Sequence, residues 1–298
     1  MKTSSWLFLI LSPLVACASA GREAAWEKAP PAPPAGTTTA TVSSDFVAGE
    51  AAWALRDDKN KVLEAIAAWE KVAAAEPSNA QVMTKLSRAY YFLVDGHISV
   101  EPGDVTEQKL VNHQKGADWG EKALLIVDPK FGEKMRAGTE FEVAIGEIEK
   151  PAIEAAYWYC TNLSRFANAK GLSARLFYKD RVSAAMRRIG VLDAAYFHAA
   201  SDRFFGAYYS ALPSIAGRDL SKSGEHFDKA IAAAPAYLSN KVLKADFLAV
   251  NLDDRALYTK LLEEVLAAPD GEDPDFAPEN RAAKRQAKKF LALAGDRF

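Results

Sequence analysis

Two short aromatic segments carry the side chains best suited to recognising another molecule. In Tyr157-Trp158-Tyr159-Cys160-Thr161-Asn162-Leu163-Ser164-Arg165-Phe166, helical spacing aligns Trp158, Asn162 and Arg165 on one stripe and Tyr159, Leu163 and Phe166 on another. An indole face, an amide and a guanidinium in one line could contact an organic carboxylate or a partner protein, with the second stripe as core. The alternative is an Arg165 that satisfies a helix end or an internal carboxylate. In Asp202-Arg203-Phe204-Phe205-Gly206-Ala207-Tyr208-Tyr209, Phe204 and Tyr208 stand four apart and form a separate stripe. They could line an apolar cavity or pack on the next helix.

Catalytic chemistry finds little material. There is no G-x-S-x-G elbow, H-E-x-x-H helix, Walker loop or dinucleotide glycine fingerprint. His97, His113, His198 and His226 are scattered along the chain and read as surface or packing residues. Cys160, in an aromatic-rich run, reads as a buried small hydrophobe. Asp270, Glu272, Asp273 and Asp275 could attract calcium, but they lack the spacing and glycine of an EF-hand loop and read as a solvated turn. An envelope hydrolase would have to draw on Glu140, Glu142 or Glu147, whose pattern is ordinary helical charge. No catalytic residue, metal or cofactor is expected.

The chain that must position these residues has 298 residues, 37 Lys plus Arg against 39 Asp plus Glu, and a formal net charge of −2. That balance gives no general basic face for nucleic acid. Two cysteines and four histidines exclude a disulfide scaffold and a zinc-finger fold. Lys2 followed by the apolar run Trp6 to Leu11, continuing through Val15, reads as a secretory signal too short to span a bilayer. Its end admits two cleavage readings. Leu14-Val15-Ala16-Cys17 resembles a bacterial lipobox, with Cys17 lipidated, and Ala18-Ser19-Ala20 resembles an ordinary signal-peptidase site. The lipobox is preferred because the thiol directly follows the apolar run. The expected organisation is a signal over 1–16, a lipidated Cys17 with a Pro/Thr-rich tether over 17–44, and a helical domain over 45–298. Trp26 is expected to be unstructured, the alternatives being contact with lipid or with the body.

From Asp45 onward the periodicity is helical and no convincing strand alternation appears, so the expected class is all-α. Ala65, Trp69, Val72 and Pro77, then Ala80, Met83, Leu86, Ser87 and Tyr90, fall on the small and large core positions of tetratricopeptide (TPR) helices. Ser223, Phe227, Ala230 and Pro235, preceded by Phe205, Gly206 and Tyr209, give a second match around a loop with Pro213 and Gly217. A looser third match ends at Ala123 and Pro129 and requires a loop from Asp95 to Thr106. Later helices are expected over Lys241 to Val250, Arg255 to Ala267 and Glu279 to Ala294, the last started by Pro278. The architecture expected is an irregular α-solenoid of degenerate TPR-like hairpins.

Tyr157-Trp158-Tyr159 with Asn162-Leu163, Arg203 to Tyr209, Ser221 to Ile231, Val265 to Pro269 and Ala277-Pro278-Glu279-Asn280 together resemble the T component of tripartite ATP-independent periplasmic (TRAP) transporters. The resemblance runs from about Glu50 to the C-terminus. It implies an exported, periplasmic, non-enzymatic TPR-like lipoprotein, held to a bacterial membrane by its lipid anchor and assembled as a homotrimer. It further implies binding to the solute-binding P component and a cavity in each subunit for a hydrophobic or organic-acid ligand. The alternative is a general TPR protein-interaction lipoprotein of the bacterial envelope, whose concave surface binds a peptide.

Overall fold

Helix caps punctuate the body. Side-chain oxygens of Ser43, Asp58, Asn79, Asp128, Asp219 and Asp254 each accept a backbone N–H at the start of a helix, and each such cap contributes about 1 kcal/mol. The computed structural model describes residues 21–27 and 43–298. The signal sequence, Cys17 and the proline-rich part of the expected tether lie outside the described residues. Among the described residues, every regular element is helical.

The helices are α1 (Ser44–Ala54), α2 (Lys59–Ala75), α3 (Ala80–Phe92), α4 (Thr106–Val127), α5 (Pro129–Arg136), α6 (Phe141–Ile145), α7 (Ile153–Lys170) and α8 (Leu172–Leu192). They continue with α9 (Tyr196–Ala211), α10 (Leu220–Ala233), α11 (Ser239–Leu243), α12 (Arg255–Ala267), α13 (Ala277–Ala292) and α14 (Ala294–Arg297). Sequential neighbours pack as hairpins: α1 with α2, α3 with α4, α7 with α8, and α9 with α10. The TPR-patterned positions supply much of this packing. Ala65, Trp69, Val72, Met83, Leu86, Ser87 and Tyr90 are all buried, as are Ser223, Phe227 and Ala230.

Small residues decide how closely the helices approach. α4 packs chiefly on α7 and α3, and a Cβ on Gly120 would fall 2.7 Å from the Tyr159 backbone. Between α9 and α10 a Cβ on Gly206 would fall 2.7 Å from the Phe227 ring, and the Ser223 hydroxyl donates to the Gly206 carbonyl at 2.7 Å. The last long helix returns to the first hairpins. Arg56 pairs with Glu279 at 2.9 Å, while Arg285, Gln286 and Lys289 of α13 donate to carbonyls of Gly96, Asp95, Ser99 and Glu101. The two ends of the helical array are thereby joined.

Two expectations require correction. The segment from Asp95 to Thr106 is not simply a loop: α3 runs on into a π-helical turn over Leu93–His97 and a 3-10 turn over Ile98–Val100. Donors from α13 meet it there, on the carbonyls of Asp95 and Gly96 in the π-helical turn and of Ser99 and Glu101 beyond it. Trp26 is not unstructured. It is 6% exposed, in a 3-10 turn, with its ring 5.9 Å from Phe131, 6.1 Å from Phe141 and 6.5 Å from Tyr159. Just before it, Arg22 donates to Asp118 and to both carboxylate oxygens of Glu121, at 2.9 and 2.7 Å. Burial works against the Arg22 charge, but the Glu121 and Asp118 carboxylates outweigh it and raise the pKa. Residues 21–27 thus dock on α4, α5 and the start of α6.

Candidate functional site

α7, α8 and α9 enclose a cavity of about 140 Å³. One stripe of each helix supplies a wall: Tyr157, Thr161, Ser164, Arg165 and Asn168 from α7, Leu172, Arg175, Leu176, Lys179 and Val182 from α8, and Arg203, Phe204, Ala207, Tyr208 and Ala211 from α9. Tyr91 of α3, Leu243 at the end of α11 and Phe247 in the following π-helical turn (Lys244–Ala249) also line it. The lining combines aliphatic and aromatic carbon with Arg165, Arg175, Lys179 and Arg203. Among the described residues, no carboxylate lines it.

These cations differ in what already holds them. Arg165 pairs with Asp95 at 2.7 Å, from the π-helical turn after α3. Burial disfavours the Arg165 charge, but Asp95 and then Tyr91 overcome it and raise the pKa. The same carboxylate lies 3.9 Å from His113. Arg203 is 7% exposed and serves the chain itself: it donates to the carbonyls of Phe197 and His198, to Asn240 and to the Tyr157 hydroxyl at 2.9 to 3.1 Å. Burial opposes this charge too, and Tyr157 and Tyr237 outweigh it. The carbonyls it caps belong to a left-handed turn, with φ of 41°, 59° and 59° at Phe197, His198 and Ala199. Such backbone costs roughly 1–2 kcal/mol per residue. The guanidinium, and the stacking of His198 on Tyr237 at 4.3 Å, hold the strained turn that aims α9 at the cavity. Lys179 shares an exposed pair with Asp180 at 3.0 Å. Arg175 makes no side-chain ion pair among the described residues. The Thr161 hydroxyl, also at the wall, is buried without a hydrogen-bond partner among the described residues.

Of the five residues singled out by spacing, Arg165, Phe204 and Tyr208 meet at this cavity and Trp158 and Asn162 do not. Trp158 is 2% exposed, packed among Tyr91, Tyr157 and Phe197 with the Arg88 guanidinium 5.6 Å over its ring. Asn162 is fully buried: its amide donates to the carbonyls of Ser87 and Trp158, and its oxygen lies 3.1 Å from His113 Nδ1. It ties α3, α4 and α7 together. The stripe of α7 that does face the cavity, through Tyr157, Thr161 and Arg165, is the neighbouring one. Arg175 and Lys179, four apart on α8, were passed over by the sequence reading, although their spacing beside Leu172 and Leu176 was the available signal.

Other candidates are accounted for locally. Cys160 is fully buried, and burial pushes its thiol pKa up, so it is no nucleophile at neutral pH. Glu140, Glu142 and Glu147 are exposed, with Glu147 paired to Lys134. Asp270 pairs with Lys284 at 2.7 Å. Among the described residues, no group of three His, Cys, Asp or Glu side chains converges on a metal position, and no helix is long and apolar enough to cross a membrane.

No curated protein matches the chain. Residues 108–298 match the family described as TRAP transporter T-component. That span begins within α4 and includes all three walls of the cavity. A match over more than half of the sequence, covering the three helices that wall this mixed apolar and cationic cavity, places the chain in the TRAP transporter T-component family.

Proposed function

We propose that this T-component is a periplasmic lipoprotein, anchored through Cys17, that docks the solute-binding P component and accepts from it, or delivers to it, an amphipathic organic anion held between α7, α8 and α9. The observation that carries the reading is the lining of that cavity, which among the described residues is apolar carbon with four cations and no carboxylate. Such a surface suits an aliphatic or aromatic body ending in a carboxylate. Arg175 is the cation most available to the ligand headgroup, because Arg165 and Arg203 are already engaged. The unpartnered Thr161 hydroxyl offers a second polar contact. The protein acts by binding, without covalent chemistry, and the degenerate TPR-like hairpins serve as its scaffold. In this reading three copies assemble, each carrying one cavity.

The test is affinity purification of the detergent-solubilised chain from its own envelope. Recovery of a periplasmic solute-binding protein, in a particle of three T-component copies, is the expected result. Recovery of outer-membrane assembly proteins in place of a solute-binding protein would instead support a general TPR interaction lipoprotein.

A further inference from the structure

The docked segment over residues 21–27 ends beside the most apolar exposed stretch of α8. A Cβ on Gly21 would fall 3.2 Å from the Phe177 ring, and the Arg22 backbone N–H donates to the Tyr178 hydroxyl at 2.6 Å. Only Ala18, Ser19 and Ala20 separate Cys17 from Gly21. Four Cα-to-Cα steps reach at most about 15 Å. The Arg22 pairs and the buried Trp26 fix the far end of that short link to the body, so a lipid on Cys17 would draw this particular face to the bilayer.

That face has a membrane-binding composition. Leu172, Leu176 and Phe177 are 50%, 41% and 59% exposed. Arg175 and Lys179 lie on the same half of α8. Across the cavity, the loop carrying Pro213 presents Ile215, whose side chain is fully exposed. Leu172, Leu176 and Pro213 also line the cavity, so the apolar prongs stand at its rim. Exposed large apolar side chains interleaved with cations favour an interface of acyl chain and anionic headgroup.

We infer that the rim formed by the first half of α8 and the Ile215 loop rests on the surface of an anionic bilayer, held there by the docked 21–27 segment. The body is then not carried at the end of a long tether, and the cavity opens at the membrane surface. The inference rests on the lipidation of Cys17 in the proposed function. It goes further by naming which face meets the lipid.

The experiment uses the lipidated protein purified from membranes and reconstituted into phosphatidylethanolamine–phosphatidylglycerol vesicles containing doxyl-labelled lipid. Single reporters are attached through Phe177→Cys, Ile215→Cys or Val191→Cys, the buried Cys160 being protected. Val191 is 72% exposed and stands about 28 Å along α8 from Leu172. Reporters at 177 and 215 should lose most of their emission to the doxyl quencher and the reporter at 191 should keep it. Combining either rim reporter with Trp26→Ala should restore emission although the vesicles still carry the protein, and Arg175→Glu with Lys179→Glu should do so in part. Protein that floats with the vesicles while the 177 and 215 reporters stay bright overturns the inference and leaves the anchor standing. Cross-linking of two copies through position 177 without lipid quenching assigns the face to a second copy and also overturns it. Protein that does not float shows that the anchor itself is absent, and both readings fall.

Discussion

Arg165 and Arg175 stand at the same cavity but are held differently, and substitution should separate them. Arg165→Ala removes the 2.7 Å partner of the half-buried Asp95 and should lower stability by about 1–3 kcal/mol in urea melts. Arg175→Ala should stay within about 0.5 kcal/mol of the parent and should weaken binding of an aliphatic carboxylate. Equal melts for the two variants would contradict this division. His113 adds a pH dependence. It is 2% exposed, and burial, the largest cause, pushes its pKa down to about 4, with Arg165 and Lys109 acting in the same direction and Asp95 and Asn162 opposing. In the unfolded chain it titrates near 6.5. As the pH falls from about 6.5 to about 4, the unfolded chain binds a proton that the folded chain refuses, so stability is lost across that window and this contribution is flat below it. The loss amounts to about 3 kcal/mol. His97 and His198 are also lowered by burial and add with the same sign. His113→Gln should therefore show a shallower fall of stability between those pH values, and an unchanged slope would show that His113 is not the titrating group.

Between helices, a glycine that faces the backbone of its neighbour leaves little room for substitution. Gly120→Ala should destabilise the body by about 1–3 kcal/mol, because its Cβ would meet Tyr159 backbone atoms at 2.7 Å and backbone cannot swing aside as a flexible side chain can. A melting temperature equal to the parent's would mean that α4 and α7 are not packed this tightly. The hairpin of α9 and α10 was legible in the sequence because its small and large residues, Gly206, Ser223, Phe227 and Ala230, sit at helical spacing and meet one another directly. The facing side of α7 was not. Spacing put Trp158, Asn162 and Arg165 on one stripe, but only Arg165 reaches the cavity, because which stripe meets a cavity depends on where α3, α4 and α9 lie, and those are distant in sequence. Arg165 joins Phe204 and Tyr208 at the cavity because it is the long side chain at the edge of its stripe. The π-helical turn at Leu93–His97 was equally hidden, since its extra residue shifts the phase on which periodicity depends. Asp95, the partner that defines the role of Arg165, lies within it.

At the scale of the whole molecule, all-α class and T-component membership followed from periodicity and distributed motifs, whereas the docking of residues 21–27 left no periodic signal in an Ala- and Pro-rich stretch. That docking has a direct consequence. Trp26→Ala removes an aromatic anchor of the kind whose truncation costs about 3–5 kcal/mol, so the segment should detach and expose the now-buried Arg22 side chain to trypsin. Cleavage after Arg22 should be much faster in the variant than in the parent, and equal rates would contradict the docking. The cavity unites these scales: α7, α8 and α9 converge on it, Arg203 braces the strained turn that places α9, and the family match includes all three of those helices. Its role is tested most directly by labelling the purified full-length protein with a photoreactive aliphatic carboxylate and mapping the modified peptides. The predicted result is labelling within α7, α8 or α9 that excess unlabelled carboxylate suppresses, and that Ala207→Trp, which fills the cavity, abolishes without unfolding the chain. Labelling outside these helices, or labelling that Ala207→Trp leaves unchanged, would contradict the assignment of the cavity as the ligand site.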